Sequence, residues 1–240
     1  MNFLNFLNPD MILHTGDIVK FGSKKKEWAR FSRIFNKFIE HTPPIFFPVI
    51  GNHDLSMISK SGLENYFKTF KYLENNRWYC VYVNEKILIL NLDSNFNKLD
   101  KVLVTAQNIF IRKILEQYKG KYKLLLINFH HPIYRNLKTL KLRKEYIKNF
   151  QELFNEISAA ITYINGHFHN FFYHKINSRA HIIITGGAGA PLHKFVSGLL
   201  NKHHIVILKC NLMKSRVRVS LLVFKSPQRF HLKTIDEYSF

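Results

Sequence analysis

Three adjacent polar side chains, Asn52, His53 and Asp54, follow the run Pro48-Val49-Ile50 and a single glycine, Gly51. An amide oxygen can ligate a hard or borderline cation, and an imidazole beside it can hold a proton for a leaving group. The pattern recurs along the chain. Asp17 follows Met11-Ile12-Leu13-His14-Thr15-Gly16, His130 and His131 follow the apolar run that ends at Phe129, and His167 and His169 come just after Ala160 to Ile164. Chance places one histidine at a strand end easily, but four strand ends with ligand-type side chains much less so. Carboxylate, amide and imidazole together suit Mn, Fe, Zn or Co better than Mg alone, and no thiolate is on offer. In extended backbone, side chains two apart point to one face, so His167 and His169 are expected to serve two adjacent metals.

The elements that must present these residues read as alternating strands and helices. Met11 to His14 looks like a strand ending at Thr15-Gly16-Asp17. Glu27 to Glu40 spaces Trp28, Phe31, Ile34, Phe35 and Phe38 as the inner face of a helix that Pro43-Pro44 stops, and Ile45 to Ile50 is the next strand. Ser61 to Phe70 reads as a short helix, and Trp78 to Val83 and Lys86 to Leu92 as a hairpin turning at Asn84-Glu85. Thr105 to Tyr118 is expected to be a helix capped by Thr105, with Ile109, Phe110, Ile114 and Leu115 near one face. Lys123 to Phe129 has the continuous apolar character of a strand covered on both faces.

Leu142 to Ile157 reads as a helix with Tyr146, Ile147, Phe150, Leu153 and Phe154 inward, and Ala160 to Ile164 as a strand. Short strands at 171–176, 181–185, 204–209 and 216–224 complete the chain. No stretch rich in Pro, Gly or Ser marks a boundary, so residues 1–240 are taken as a single domain.

Of the 240 residues, 46% are hydrophobic, which is enough for a sizeable core and argues against global disorder. No run approaches membrane-span length, and the apolar start lacks the basic region of a secretory signal. Cys80 and Cys210 provide no disulfide framework, so a reducing, cytoplasmic setting is the default expectation. The net charge of +20 admits phosphate-rich partners such as nucleic acid, but most lysines are scattered; only Lys24-Lys25-Lys26 and the region from Lys138 to Lys148 are dense.

Gly16-Asp17, Gly51-Asn52-His53-Asp54, His130-His131-Pro132 and Gly166-His167-x-His169, in this order, resemble the calcineurin-like metallophosphoesterases. So do Asn91-Leu92-Asp93-Ser94 ahead of Gln107, and Thr185 to Pro191 with its glycines. The resemblance implies an α/β/β/α sandwich of two mixed sheets flanked by helices, and a phosphoesterase using two divalent transition metal ions (Mn, Fe or Zn). It implies that Asp17 bridges the metals, that Asn52, His130 and His167 complete one site, and that His169 belongs to the other. His130 is preferred over His131 because the family pattern places the ligand two residues before the proline.

By the same resemblance His53 contacts the phosphate or protonates the leaving oxygen. Two departures stand out. No Asp-x-His precedes Gly16-Asp17, so the first strand and part of the His169 site are expected to be missing. Lys20 stands where some relatives carry an acidic residue, which leaves Asp54 as the candidate partner of His53.

The chemistry fits these roles. Hydrolysing a phosphate mono- or diester needs neutralised phosphate oxygens, a hydroxide at neutral pH and a proton for the leaving alkoxide. Two metals about 3.5–4 Å apart supply the first two, and a positioned histidine the third, worth roughly 10²–10⁴ in rate. With one site incomplete, an impaired enzyme is expected. A phosphate- or metal-binding pseudo-enzyme, or a nuclease or nucleic-acid binder, are the alternatives.

Overall fold

A computed structural model of the chain describes residues 7–39, 45–55, 61–192, 202–226 and 229–240. In chain order its elements are β1 (Met11–His14), α1 (Lys25–Ile39), β2 (Ile45–Pro48), α2 (Ser61–Thr69), β3 (Tyr79–Val83) and β4 (Ile87–Asn91). Next come α3 (Lys101–Gln117), β5 (Leu124–Asn128), the short β6 (Tyr134–Asn136) and β7 (Lys141–Leu142), and a helical run over 144–154, α4. The last are β8 (Ala160–Asn165), β9 (Phe171–Lys175), β10 (Ala180–Thr185), β11 (His204–Asn211), β12 (Arg216–Ser226) and β13 (Arg229–Ser239).

One sheet has six strands in the order β3-β4-β5-β8-β10-β9, with β4, β5, β8 and β10 parallel and β3 and β9 antiparallel at its edges. Its central strands β4, β5 and β8 are buried along their whole length. That is why they read as unbroken apolar runs rather than alternating ones. On one face Leu88, Leu90, Leu125, Ile127 and Ile184 pack against Ile111 and Ile114 of α3 and Phe150 and Phe154 of α4.

On the other face Ile89, Leu124, Leu126 and Ile183 meet Val217, Val219 and Leu221 of the antiparallel sheet β11-β12-β13, with Met11 and Leu13 of β1 against the same core. The parallel pair β1-β2 is covered in turn by α1 and α2, through Trp28, Phe46, Ile50, Tyr66 and Phe70. The layers are helix, sheet, sheet, helix, which is the metallophosphoesterase sandwich. Among the described residues no helix is long and apolar enough to cross a membrane.

Several expected details shift. Helix α3 begins earlier than Thr105, because the Asp100 carboxylate accepts from Leu103 N–H at 2.8 Å and caps the first turn. That start leaves Ile109 61% exposed and buries Ile111 instead. In α1, Trp28 is buried but Ile34 is 58% exposed; Glu40, Pro43, Pro44 and the side chain of Phe38 lie outside the described residues. Helix α4 is not a uniform α-helix: Ile147–Gln151 is π-helical between short α turns. The extra residue per turn rotates Ile147 outward while Tyr146, Phe150, Leu153 and Phe154 stay inside.

The hairpin at Asn84-Glu85 turns as expected, both residues having positive φ as a type I′ turn requires. Strand β13 lies beyond the expected strands, its Phe230 and Leu232 alternating with Arg229, His231 and Lys233. A bulge in its pairing between Val219 and Ser220 then breaks the period.

Candidate metal centre

Strands β1 and β2 are parallel, as are β5 and β8, so the carboxyl ends of each pair open on one edge. Asp17, Asn52, His130 and His167 all lie two to four residues past those ends. Backbone bonds tie the loops together: Val49 N–H donates to the His14 carbonyl at 3.0 Å, and Gly166 N–H to the His130 carbonyl at 3.0 Å. The approach is close enough to dictate glycine at two positions. Gly16 has φ +86°, and a Cβ there would lie 2.6 Å from Gly51 N; a Cβ on Gly51 would overlap the Asp17 backbone nitrogen and Oδ1. Asp17 and His167 themselves hold left-handed backbone, at φ 56° and 65°, at a cost of about 1–2 kcal/mol each.

Asp54 fastens this junction. Its Oδ2 accepts from the N–H groups of Asp17 and Gly51, each at 2.9 Å, and its Oδ1 from Val19 N–H at 3.1 Å. Burial pushes its carboxyl up to about 7, against the N–H donors of Gly51 and Val19, which favour the ionised form. The expected partnership of Asp54 with His53 is not formed, because both Asp54 oxygens are taken by backbone. The His53 ring instead sets Nδ1 3.0 Å from the Lys20 carbonyl. The position that lacks an acidic side chain thus contributes its backbone oxygen.

Four potential ligand atoms converge. Asn52 Oδ1 lies 2.9 Å from His130 Nε2 and 3.1 Å from His167 Nδ1; His130 Nε2 lies 3.2 Å from His167 Nδ1 and 3.2 Å from Asp17 Oδ2. Ligands about 2.1 Å from a divalent transition metal stand about 3.0–3.4 Å apart at octahedral or tetrahedral angles, so the spacing fits an ion. The protonation pattern fits as well. His130 Nδ1 is 2.8 Å from the Thr15 carbonyl, which can only accept, so Nδ1 carries the hydrogen and Nε2 offers a lone pair.

Burial, with the neighbouring His130 next, lowers His167 to about 3, so its ring is neutral at pH 7. Asp17 would be raised by burial, but the His130 ring and His53 N–H outweigh that and hold it at about 2. Asp17 is therefore ionised and His167 neutral, the states a metal needs of them.

The neighbours surround this set. His131, half-buried and lowered to about 2 chiefly by burial, has a ring nitrogen within 4.8 Å of those of His130 and His167 and is a further candidate ligand. Its N–H donates to Ser94 Oγ at 2.9 Å, and its Nδ1 lies 3.0 Å from the same oxygen. Gln107 binds both the N–H and the carbonyl of Asp93, at 2.8 and 3.0 Å, and the Asp93 carboxylate pairs with Arg77. These contacts set the loop that carries Ser94.

The segment after β8 is not extended. Phe168 N–H donates to the Gly166 carbonyl and Asn170 N–H to the Phe168 carbonyl, each at 2.7 Å, in two tight turns. His167 and His169 therefore do not share a face by strand alternation. His169 Nδ1 stands 2.7 Å from the Pro191 carbonyl instead. Two further side chains bear on the site. His14 Nδ1 accepts from Gly16 N–H at 3.2 Å, with burial lowering the ring to about 4. Arg143 reaches the His131 and His167 rings electrostatically from the start of α4. A basic residue before a helix has no sequence signature that separates it from a surface charge.

A four-layered sandwich with an Asp, an Asn and paired histidines gathered at the carboxyl ends of its strands defines a metal-dependent phosphoesterase class. The calcineurin-like phosphoesterase family model matches residues 1–171, and the chain belongs to that family. Among solved structures it is similar to GAP50, described as the anchor in the inner membrane complex of Plasmodium. That likeness has a TM-score of 0.68 at 12% identity, over 98% of this chain and 82% of that one. It is also similar to a dimetal phosphatase from Danio rerio, with a TM-score of 0.59 at 13% identity, over 99% of this chain and 85% of that one. At such identities the likeness is one of fold. No curated protein matches the sequence.

Proposed function

We propose that this chain hydrolyses phosphate esters with a divalent metal ion held by Asp17, Asn52, His130 and His167. The observation that carries this is the mutual approach of Asn52 Oδ1, His130 Nε2 and His167 Nδ1 at 2.9–3.2 Å, with Asp17 Oδ2 3.2 Å from His130 Nε2 and the His130 Nδ1 on the Thr15 carbonyl. When bound, divalent ions neutralise the phosphate oxygens and acidify a water at neutral pH. The donor set of one carboxylate, one amide and imidazoles favours Mn, Fe or Zn.

The chain's own residues supply the rest. His53 is exposed, and its Nδ1 is held by the Lys20 carbonyl. As the imidazolium, with Nδ1–H on that carbonyl, its Nε2–H would pass to the leaving oxygen, leaving the neutral ring. Asp54 keeps the two loops in register through their N–H groups. Asp17 and His169 would help to hold a second ion, the His169 ring being held by the Pro191 carbonyl at Nδ1. A net charge of +20 draws anionic esters toward the site.

The test is to strip the chain of metal, reload it separately with Mn(II), Fe(II) or Zn(II), and assay 4-nitrophenyl phosphate and bis(4-nitrophenyl) phosphate. Metal-dependent turnover, reduced at least a hundredfold by His130→Ala, is expected. If the ions bind and neither ester is cleaved, the chain is a binding protein and the enzymatic reading is wrong.

A further inference from the structure

We propose that the cavity lined by Ser94, Phe129, His131, Arg143, Tyr146 and Phe150 binds an oxyanion borne on a flat apolar group, with the Arg143 guanidinium as its partner. It would thereby favour phosphoesters that carry such a second anion. The word substrate rests on the phosphoesterase reading; the anion site does not.

The cavity adjoins the metal centre through His131 and holds about 160 Å³. An apolar cavity of about 150 Å³ takes up a benzene molecule, so the space suits one ring with its substituent, and a nucleoside is too large. Its inner wall is aromatic: Phe129 and Phe150, each 1% exposed, meet edge to face at 5.5 Å, and Phe96 packs on Phe150 at 5.0 Å.

Arg143 stands against that wall. The Nε of Arg143 is enclosed and has no hydrogen-bond partner among the described residues. Its guanidinium lies 5.8 Å over the Phe168 ring, which holds the group in place. Glu145 also lines the cavity, yet the two form no ion pair. Leaving a buried guanidinium nitrogen unpaired is costly. Its planar fork of N–H donors matches the paired oxygens of a carboxylate or phosphate, and no neutral acceptor satisfies it as well.

The source of the oxyanion is a question for experiment, because carboxylate and phosphate share the chemistry. The chain, kept metal-free by chelation, is titrated calorimetrically with benzoate and phenylphosphonate, and with methylphosphonate and benzyl alcohol as controls lacking the ring or the charge. At least one ring-borne anion should bind, ten-fold or more tighter than either control, and the better of the two identifies the oxyanion. Arg143→Gln should weaken it at least ten-fold and Arg143→Lys by less, with unfolding midpoints verifying that both variants fold. Equal affinity in Arg143→Gln, equal binding of methylphosphonate, or no binding of either ring-borne anion overturns the proposal.

The metal-loaded chain should then prefer 4-carboxyphenyl phosphate to phenyl phosphate by ten-fold or more in kcat/KM, and Arg143→Gln should abolish that ratio. Cleavage of both esters without preference refutes the anion site alone. Failure to cleave either refutes the enzymatic reading, and the titration still decides the anion site.

Discussion

Oδ1 of Asn52 and Nε2 of His130 stand 2.9 Å apart. The Thr15 carbonyl holds a hydrogen on the other nitrogen of the His130 ring, so a neutral ring would turn a lone pair toward the amide oxygen. A cation between the two would satisfy both, with Asp17 Oδ2 3.2 Å from His130 Nε2 and His167 Nδ1 3.1 Å from Asn52 Oδ1.

The metal-free chain should therefore take up one equivalent of Mn(II) or Zn(II) tightly in calorimetric titration, and His167→Ala should weaken it at least ten-fold. Asp17 lies at about 2 and His167 at about 3, so their protons are already gone at pH 7.5. The heat of binding should then barely change between buffers of different ionisation enthalpy. Release of a full proton on binding would contradict the assigned protonation states.

His53 offers a separable test. Its backbone N–H donates to Asp17 Oδ1 at 2.8 Å whatever its side chain, so His53→Asn should leave metal content intact. Turnover of an alkyl phosphate should fall roughly 10²–10⁴-fold, and that of 4-nitrophenyl phosphate far less, because its leaving group needs no proton. Equal loss of metal and activity would make His53 a ligand instead.

Asp54 is expected to act through the backbone. In Asp54→Asn one acceptor oxygen becomes an amide NH₂ facing N–H donors, orphaning at least one of them at about 1–3 kcal/mol. The urea midpoint should drop and metal affinity fall with it, since Asp17 and Gly51 lose their common anchor. A variant of unchanged stability whose pH–rate profile shifts would restore Asp54 as partner to the His53 ring.

Acid should unfold the metal-free chain earlier than ordinary carboxylate titration would. Burial, with nearby charges, lowers His14, His131 and His167 from 6.5 to about 4, 2 and 3. As pH falls below 6.5 the unfolded chain takes up these protons first, so the rings' contribution is complete above 6.5 and drains toward the folded values. Asp54, raised from 3.8 to about 7, gains stability over that range and offsets one ring of the three. Each ring can contribute up to about 1.4 kcal/mol per pH unit. Asp17, lowered from 3.8 to about 2, adds its loss only below pH 3.8. Urea midpoints measured from pH 7.5 to 5 should decline steadily; a flat profile would show these rings to be solvated.

The ligand set was legible because ligand chemistry restricts residue type. Asp17, Asn52, His130 and His167 each follow an apolar run, and parallel pairing brings the ends of those runs to one edge. The buried strands were equally plain, since a strand covered on both faces can carry little but Leu, Ile and Val. Partnership was not legible, because it depends on what the fold brings near. Asp54 adjoins His53 in sequence and serves Asp17, Gly51 and Val19 in space.

The His167–His169 spacing suggested one face only while the segment was assumed extended, and two tight turns part them. Arg143 looked like one of many cations until α4 folded it against an aromatic cavity and left its Nε unpaired. Residue chemistry and strand pattern are local properties, so the sequence alone determined which residues are candidate ligands and that strands and helices alternate. Hydrogen-bond partners and burial are set between segments far apart in the chain, so only the tertiary structure decided which residues hold the site in place.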